Sequence, residues 1–161
     1  RGVRRDSRSH SNSLWQADFK LTFNDKWMLT YLDDHSRFIP GSEIFENATS
    51  ENAIDLLEKC ISEFNAPEQI LTDQGTQFHT TQEEGVTEFD KFCKRHRIEH
   101  IVASKRRPTT IGKVERFHGS YDREAWRFPS HKAYIKHYNY ERPHQGIGYL
   151  IPADVYFKDR L

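Results

Sequence analysis

Cysteine is scarce in this sequence: Cys60 and Cys93 are the two present. Two thiols give no disulfide framework, so a reducing, cytoplasmic setting is the expectation. Apolar residues are also few, at 35% of 161 residues, and no uncharged apolar run is long enough to span a bilayer. That excludes a helical membrane protein and predicts no membrane partner. No signal-peptide pattern is present, and no internal repeat or low-complexity block. The chain starts with Arg1 rather than Met, which suggests a fragment of a longer protein. A glycine-rich phosphate loop is missing, which excludes the nucleotide hydrolases built on one. No Ser-His-Asp arrangement offers a nucleophile.

Net charge is lacking too, at +0, but the average conceals a polarised chain. Residues 1–90 hold 8 Lys and Arg against 17 Asp and Glu; residues 91–161 hold 16 against 7. The balances are −9 and +9, and six of the nine histidines lie in the second part. Such asymmetry is a cue for nucleic-acid interaction. The alternative is that the halves neutralise each other within one fold, and charge alone does not choose.

What is present is one domain's worth of chain with 21 aromatic residues for a core. Residues 1–13 are polar, basic and aperiodic, and read as a linker or arm ahead of a core at 14–161. Residues 14–21 alternate, with Trp15, Ala17, Phe19 and Leu21 opposite Gln16, Asp18 and Lys20, as a strand requires. Residues 27–32 and 37–45 predict two more strands, completing an antiparallel meander with a turn at 33–36. Thr49 or Ser50 caps a helix whose apolar positions are Ala53, Ile54, Leu57, Ile61 and Phe64. A buried strand follows at 69–72, then a helix through Val86, Phe89 and Cys93 ending near Arg95, and a strand at 98–102. Thr109 or Thr110 caps a helix carrying Val114, Phe117, Tyr121 and Ala125, which Pro129 ends. Ser130 caps a last helix through Tyr138. The expectation is an α/β fold: a mixed five-stranded sheet, three strands antiparallel and the others parallel, flanked by helices.

Three carboxylates stand out on that frame. Asp18 is mid-strand, where burial is costly without a partner or a cation. Asp73 directly follows a buried strand, where side chains emerge into the crevice at strand ends, and Gly75 lets the backbone turn away. Glu115 is on a helix edge with His118 and Asp122 at helical spacing. Each has an ordinary reading: a solvated strand residue, a turn former, a surface ion-pair partner. Together they suggest one site, because three adjacent carboxylates repel unless a hard divalent cation such as Mg²⁺ or Mn²⁺ lies between them. Two such ions can clamp both oxygens of a phosphoryl displacement.

Several segments, in order, resemble the catalytic core shared by insertion-sequence DDE transposases and retroviral integrases. They are Trp15-Gln16-Ala17-Asp18, Leu32-Asp33-Asp34-His35-Ser36-Arg37-Phe38 and Leu71-Thr72-Asp73-Gln74-Gly75-Thr76-Gln77-Phe78. Pro108-Thr109-Thr110-Ile111-Gly112-Lys113-Val114-Glu115-Arg116-Phe117-His118 and Tyr138-Asn139-Tyr140-Glu141-Arg142-Pro143-His144-Gln145-Gly146, with Pro152-Ala153, complete the set. The resemblance implies a ribonuclease-H-like fold, and Asp18, Asp73 and Glu115 as catalytic metal ligands for Mg²⁺ or Mn²⁺, two ions when DNA is bound. It implies cleavage and strand transfer of DNA at mobile-element ends and target DNA, a homo-oligomer, and flanking DNA-recognition domains. Two departures stand: 41 residues separate Asp73 from Glu115, more than is usual, with the excess placed at 80–87, and Ile111 replaces a polar residue.

Basic groups surround this pattern. Lys105, Arg106 and Arg107 precede the Glu115 helix, and Lys113, Arg116 and His118 lie on it. They are candidates to hold DNA phosphates, which position DNA without reading sequence. The alternative is a solvated charge run. Arg142 and His144 are DNA-contact candidates with a structural role equally open. Cys93, His96 and His100 lack a fourth ligand and a paired-cysteine knuckle, so zinc is not expected. Two other functions fit the same sequence: a ribonuclease-H-like nuclease without strand transfer, and a catalytically silent DNA-binding or assembly module.

Overall fold

A computed structural model describes residues 8–75, 78, 87–103 and 111–158. Its elements run β1 (Leu14–Leu21), β2 (Trp27–Asp33), β3 (Gly41–Phe45), α1 (Ser50–Phe64), β4 (Gln69–Thr72), α2 (Glu88–Arg95), β5 (Glu99–Val102), α3 (Gly112–Glu124), α4 (His131–Tyr140) and α5 (Pro152–Lys158). The strands form one sheet in the order β3-β2-β1-β4-β5. β1 pairs antiparallel with β2 and parallel with β4, and β4 pairs parallel with β5. The predicted mixed five-stranded sheet is therefore what the chain makes.

Both faces of the sheet are covered, which is why β1 is buried nearly throughout. Trp15, Ala17, Phe19, Leu29 and Tyr31 pack with Ala53, Leu57 and Cys60 of α1 and with Phe89 and Phe92 of α2. Met28 and Leu32 point the other way, onto Phe117 of α3 and Tyr134 and Tyr138 of α4. A smaller cluster of Leu14, Leu71, Ile111 and Val114 seats the start of α3 on the sheet.

The third strand is shorter than the 37–45 expected. Arg37 adopts φ 66°, closing a turn in which its N–H donates to the Asp33 carbonyl at 2.7 Å. Ile39 then spends both backbone groups on the Asn139 side chain: its N–H donates at 2.8 Å, and the Asn139 amide donates back at 2.9 Å. A backbone paired with a helix side chain cannot join the ladder, so pairing begins at Gly41.

Other boundaries shift for local reasons. Thr87 caps α2 in a reciprocal box with Asp90, and Val86 lies outside the described residues. Thr109 and Thr110 also lie outside them; Ile111 is the cap position of α3 and contributes no side-chain hydrogen bond. Ser130 caps α4 as expected, accepting from the Ala133 N–H. A fifth helix, α5, follows beyond the last one that the sequence pattern predicts. Its Tyr156 stacks on Phe38 with ring centroids 4.5 Å apart, and its hydroxyl donates to Asn12 at 2.7 Å. Asn12 also accepts from Trp15 Nε1 at 2.9 Å and donates to the Phe64 carbonyl at 2.9 Å. Residues 11–13, read as part of a linker, are thus buried and packed into the core.

Candidate active site

Parallel pairing of β1 with β4 creates the site. Gln16 lies opposite Leu71. Continuing that register by two positions brings Asp73 beside Asp18, just where β4 ends. The two carboxyl groups share a hydrogen bond, and Glu115 is near enough to act on Asp18 through its charge. Burial, then the charge and hydrogen bond of Asp73, then the charge of Glu115 push the Asp18 carboxyl up to about 8. Asp73 is steadied from the other side, because its Oδ1 accepts the Gly75 N–H at 2.9 Å. Glu115 is exposed at the rim.

The third carboxylate reaches this place through a lock that the sequence did not announce. Gln16 Oε1 accepts the Val114 N–H at 3.0 Å, satisfying a first-turn donor of α3 from outside the helix. Gln16 Nε2 donates to Asp34 Oδ1 at 3.0 Å, and Lys113 Nζ donates to the same oxygen at 2.9 Å. Both side chains of that ion pair are buried, at 6% and 4% exposure. The Arg8 backbone N–H fills the other Asp34 oxygen at 2.8 Å. Helix α3 is thereby fixed against β1 and the turn after β2. Gln16 could have been suspected, since it shares Asp18's strand face; Asp34 looked like any turn aspartate.

Lys113 is accordingly corrected: it was expected on the DNA-contacting surface, and its ammonium is instead committed to a buried ion pair. His118, another DNA-contact candidate, lies beside Asp18. Its ring is buried against Asp18, Nδ1 to Oδ2 at 3.8 Å, and its Nε2 has no hydrogen-bond partner among the described residues. Burial foremost, with Lys20 nearby, lowers its pKa to about 4, so it is a neutral wall of the site. Arg116 is exposed beside Glu115, where a DNA phosphate could reach it. Lys105, Arg106 and Arg107 lie outside the described residues.

Arg142 and His144 are half-buried and engage other residues of the fold. The Arg142 guanidinium grips Glu124 with two bonds, Nε at 2.8 Å and Nη2 at 2.7 Å, and Tyr134 donates to the same carboxylate at 2.8 Å. The hydrogen bond from Arg142 is the main cause holding the Glu124 carboxyl below its usual range. His144 accepts the Gly146 N–H through Nδ1 at 3.0 Å and so caps the short helical turn Gln145–Ile147. Arg142→Gln should cost about 1–2 kcal/mol, lowering the melting temperature by roughly 2–8 °C at this chain length. Because the Glu124 pKa is depressed on folding, the pair's contribution is full above the carboxylate's unfolded pKa. It is lost as pH falls through the folded value. Melting curves of both proteins should therefore converge in acid; a constant gap would show that the pair does not carry the effect.

The donor set suits a hard divalent cation, which takes carboxylate oxygens. Among the described residues, however, no three His, Cys, Asp or Glu side chains are drawn together as a closed ligand shell. Glu115 stands within electrostatic reach rather than in contact. Among the described residues, no helix is long and apolar enough to cross a membrane.

Known proteins share this architecture. The simian T-cell lymphotropic virus intasome in complex with a regulatory subunit of PP2A contains a chain that superposes with TM-score 0.76 at 21% identity, over 99% of this chain and 59% of that one. The HTLV-2 integrase catalytic core in complex with magnesium does so with TM-score 0.67 at 20% identity, over 91% and 97%. At those identities the likeness establishes the fold, which is ribonuclease-H-like. In sequence, the chain is 27% identical over 147 residues to the provisionally named integrase ORF3 of Spiroplasma virus SpV1-C74. It is 26% identical over 159 residues to an uncharacterised 39.2 kDa protein of insertion element IS476 from Xanthomonas euvesicatoria. The alignments cover 78% and 90% of this chain but only 40% and 44% of those relatives. Two family models described as integrase core domain match residues 8–108 and 96–152. With more than half of its length matched by one of them, the chain belongs to the integrase core domain family of DDE integrases and transposases.

Proposed function

We propose that this chain is the catalytic core of a divalent-metal-dependent polynucleotidyl transferase that cleaves DNA and joins the freed end to target DNA. The observation that supports this reading is that Asp73, through charge and a hydrogen bond, and Glu115, through charge, both act on the buried Asp18 carboxyl. Asp18 and Asp73 would hold Mg²⁺ or Mn²⁺, with Glu115 completing the set when DNA brings the second ion. The cations would supply positive charge to activate a hydroxyl and to stabilise the departing oxygen at phosphorus.

The chain's own residues do the rest. Gln16, Asp34 and Lys113 hold the Glu115 helix at a fixed depth. His118 closes the wall beside Asp18 and excludes water from that side. Arg116, with Lys105, Arg106 and Arg107 ahead of it, takes DNA phosphates and aligns the scissile bond. The reaction is hydrolysis of a phosphodiester to expose a 3′-hydroxyl, then attack of that hydroxyl on phosphorus in a second DNA. Both are in-line displacements, so one site serves both. Mobile-element ends and target DNA are the proposed substrates, recognised by domains flanking this core, and the core works as a homo-oligomer. The HTLV-2 core has been described in dimeric and trimeric forms.

The test is cleavage and joining of labelled DNA with Mg²⁺ or Mn²⁺. A branched oligonucleotide that mimics the joined product is the suitable substrate, since in-line displacement is reversible and the branch removes the need for end recognition. Resolution of the branch into a rejoined strand supports transfer; fragments alone indicate a nuclease. A silent DNA-binding module is the second reading. DNA binding with no metal-dependent product in any divalent ion would establish it.

A further inference from the structure

Asp73 leaves β4 beside a chain of hydrogen bonds that the proposed chemistry does not use. His100 on β5 bonds Asp90 of α2 through Nδ1. Its Nε2 meets the Thr72 hydroxyl at 2.7 Å. Thr72 Oγ1 in turn donates to the backbone carbonyl of Asp73 at 3.0 Å. Asp90 is itself anchored, because its other oxygen accepts from Thr87 Oγ1 at 3.1 Å in the cap of α2, and that hydroxyl also reaches the Phe78 carbonyl at 3.1 Å. The His100 ring is 5% exposed and packs edge-on against Phe89, centroids 5.0 Å apart. Its orientation is therefore fixed by packing on one side and by hydrogen bonds on both nitrogens.

An Asp-His-Thr series has the members of the relay that activates a hydroxyl nucleophile, but there the hydroxyl donates to the imidazole, whereas the Thr72 hydroxyl donates to the Asp73 carbonyl. Here the hydroxyl is fully buried and directed at a peptide carbonyl, so no substrate reaches it. What the series does control is a backbone. Thr72 is the last residue of β4 and Asp73 the first beyond it. A last backbone bond, from the Ala103 N–H to the Thr72 carbonyl at 2.7 Å, holds the strand end, and side-chain hydrogen bonds act on the chain beyond it. The Thr72 hydroxyl holds the Asp73 carbonyl while Gly75 holds the Asp73 carboxylate, so the residue is gripped at both ends.

We infer that His100 and Thr72 are positioning residues: through Asp90 they fix the exit angle of β4 and so the aim of the Asp73 carboxylate at Asp18. The inference rests on Asp73 being a metal ligand, and it deepens that reading. Outer contacts of this kind change metal affinity or activity by about 10–100-fold when removed.

Thr72→Val keeps the shape and β-branching of the side chain and removes the hydroxyl; Thr72→Ser keeps the hydroxyl. Three readouts apply to the intact chain: Mn²⁺ binding followed by electron paramagnetic resonance of the free ion, the amide resonance of Gly75, and turnover of branched DNA. The expected result for Thr72→Val is an apparent Mn²⁺ affinity about 10-fold weaker, a displaced Gly75 amide and branched-DNA turnover lowered with DNA affinity unchanged. Thr72→Ser should restore all three, and His100→Phe should repeat the Thr72→Val pattern. Equal Mn²⁺ binding and an unmoved Gly75 amide in Thr72→Val would overturn the inference. So would a Thr72→Ser protein as impaired as Thr72→Val, since packing of the methyl group would then be the cause. Failure of the metal reading is distinguishable: the unaltered chain would itself bind no Mn²⁺.

Discussion

Asp18→Asn is expected to abolish Mg²⁺- and Mn²⁺-dependent strand cleavage while raising the melting temperature of the metal-free protein. Both effects have one cause. The Asp18 side chain is 14% exposed, shares a hydrogen bond with Asp73 and feels the charge of Glu115. Burial and two like charges oppose its ionised form, so in the absence of a cation the carboxylate works against folding. Asparagine keeps the shape and removes the charge. A stabilisation of about 1–2 kcal/mol would appear as a rise of roughly 2–8 °C. The same change removes an anionic ligand, and a loss of at least about 10³-fold in turnover follows for a site that works by charge stabilisation. Saturating Mn²⁺ should stabilise the unaltered chain more than the variant, because a ligand that binds only the folded state adds stability. Cleavage retained in Asp18→Asn would sink the ligand assignment. A lowered melting temperature would show that the carboxylate supports the fold instead of straining it.

Lys113→Met should be the most destabilising of the single changes considered, by about 3–5 kcal/mol. Methionine fills much of the space of the lysine stem, so the loss is electrostatic. It leaves Asp34 buried with the Gln16 amide and the Arg8 N–H but without its cation. At this length the melting temperature should fall by roughly 6–20 °C. Removing both charges, in Lys113→Met with Asp34→Asn, should recover most of the loss, because a buried pair is costly chiefly when one partner is orphaned. A double-mutant cycle measures that coupling directly. Additive losses would mean that Lys113 and Asp34 act separately. Turnover should fall in the single variant beyond what unfolding explains, since the ion pair and Gln16 together set where Glu115 stands on α3. Turnover unchanged in the folded fraction would remove Lys113 from the positioning lock.

Periodicity made most of the fold legible. Alternation of Trp15, Ala17 and Phe19 against Gln16 and Asp18 identified β1, and helical spacing identified α1, α3 and α4. These patterns are local, and burial of both sheet faces preserves them. The failures were also local in form but tertiary in cause. β3 begins four residues late because Asn139, 100 positions further along, takes the backbone of Ile39. α5 escaped notice because its seven residues are too few to show a period. It is held by Tyr156 contacts to Phe38 and Asn12, which lie far away in sequence.

The site divides the same way. The sequence by itself determined which carboxylates sit at a mid-strand, a strand end and a helix start, and the run of motifs that marks an integrase core. It did not determine which basic residues face DNA. Lys113 and Arg116 look equivalent on paper, three residues apart on one helix, yet one is buried on Asp34 and the other is exposed. Arg142 likewise pairs with Glu124, 18 positions away in sequence. Only the tertiary structure decided these matters, because a charge is assigned its role by what lies within a few ångströms of it. Strand order and register set those neighbours: the parallel seating of β4 on β1 sets Asp73 beside Asp18 across 54 intervening residues. Neither residue's local sequence carries information about that distance.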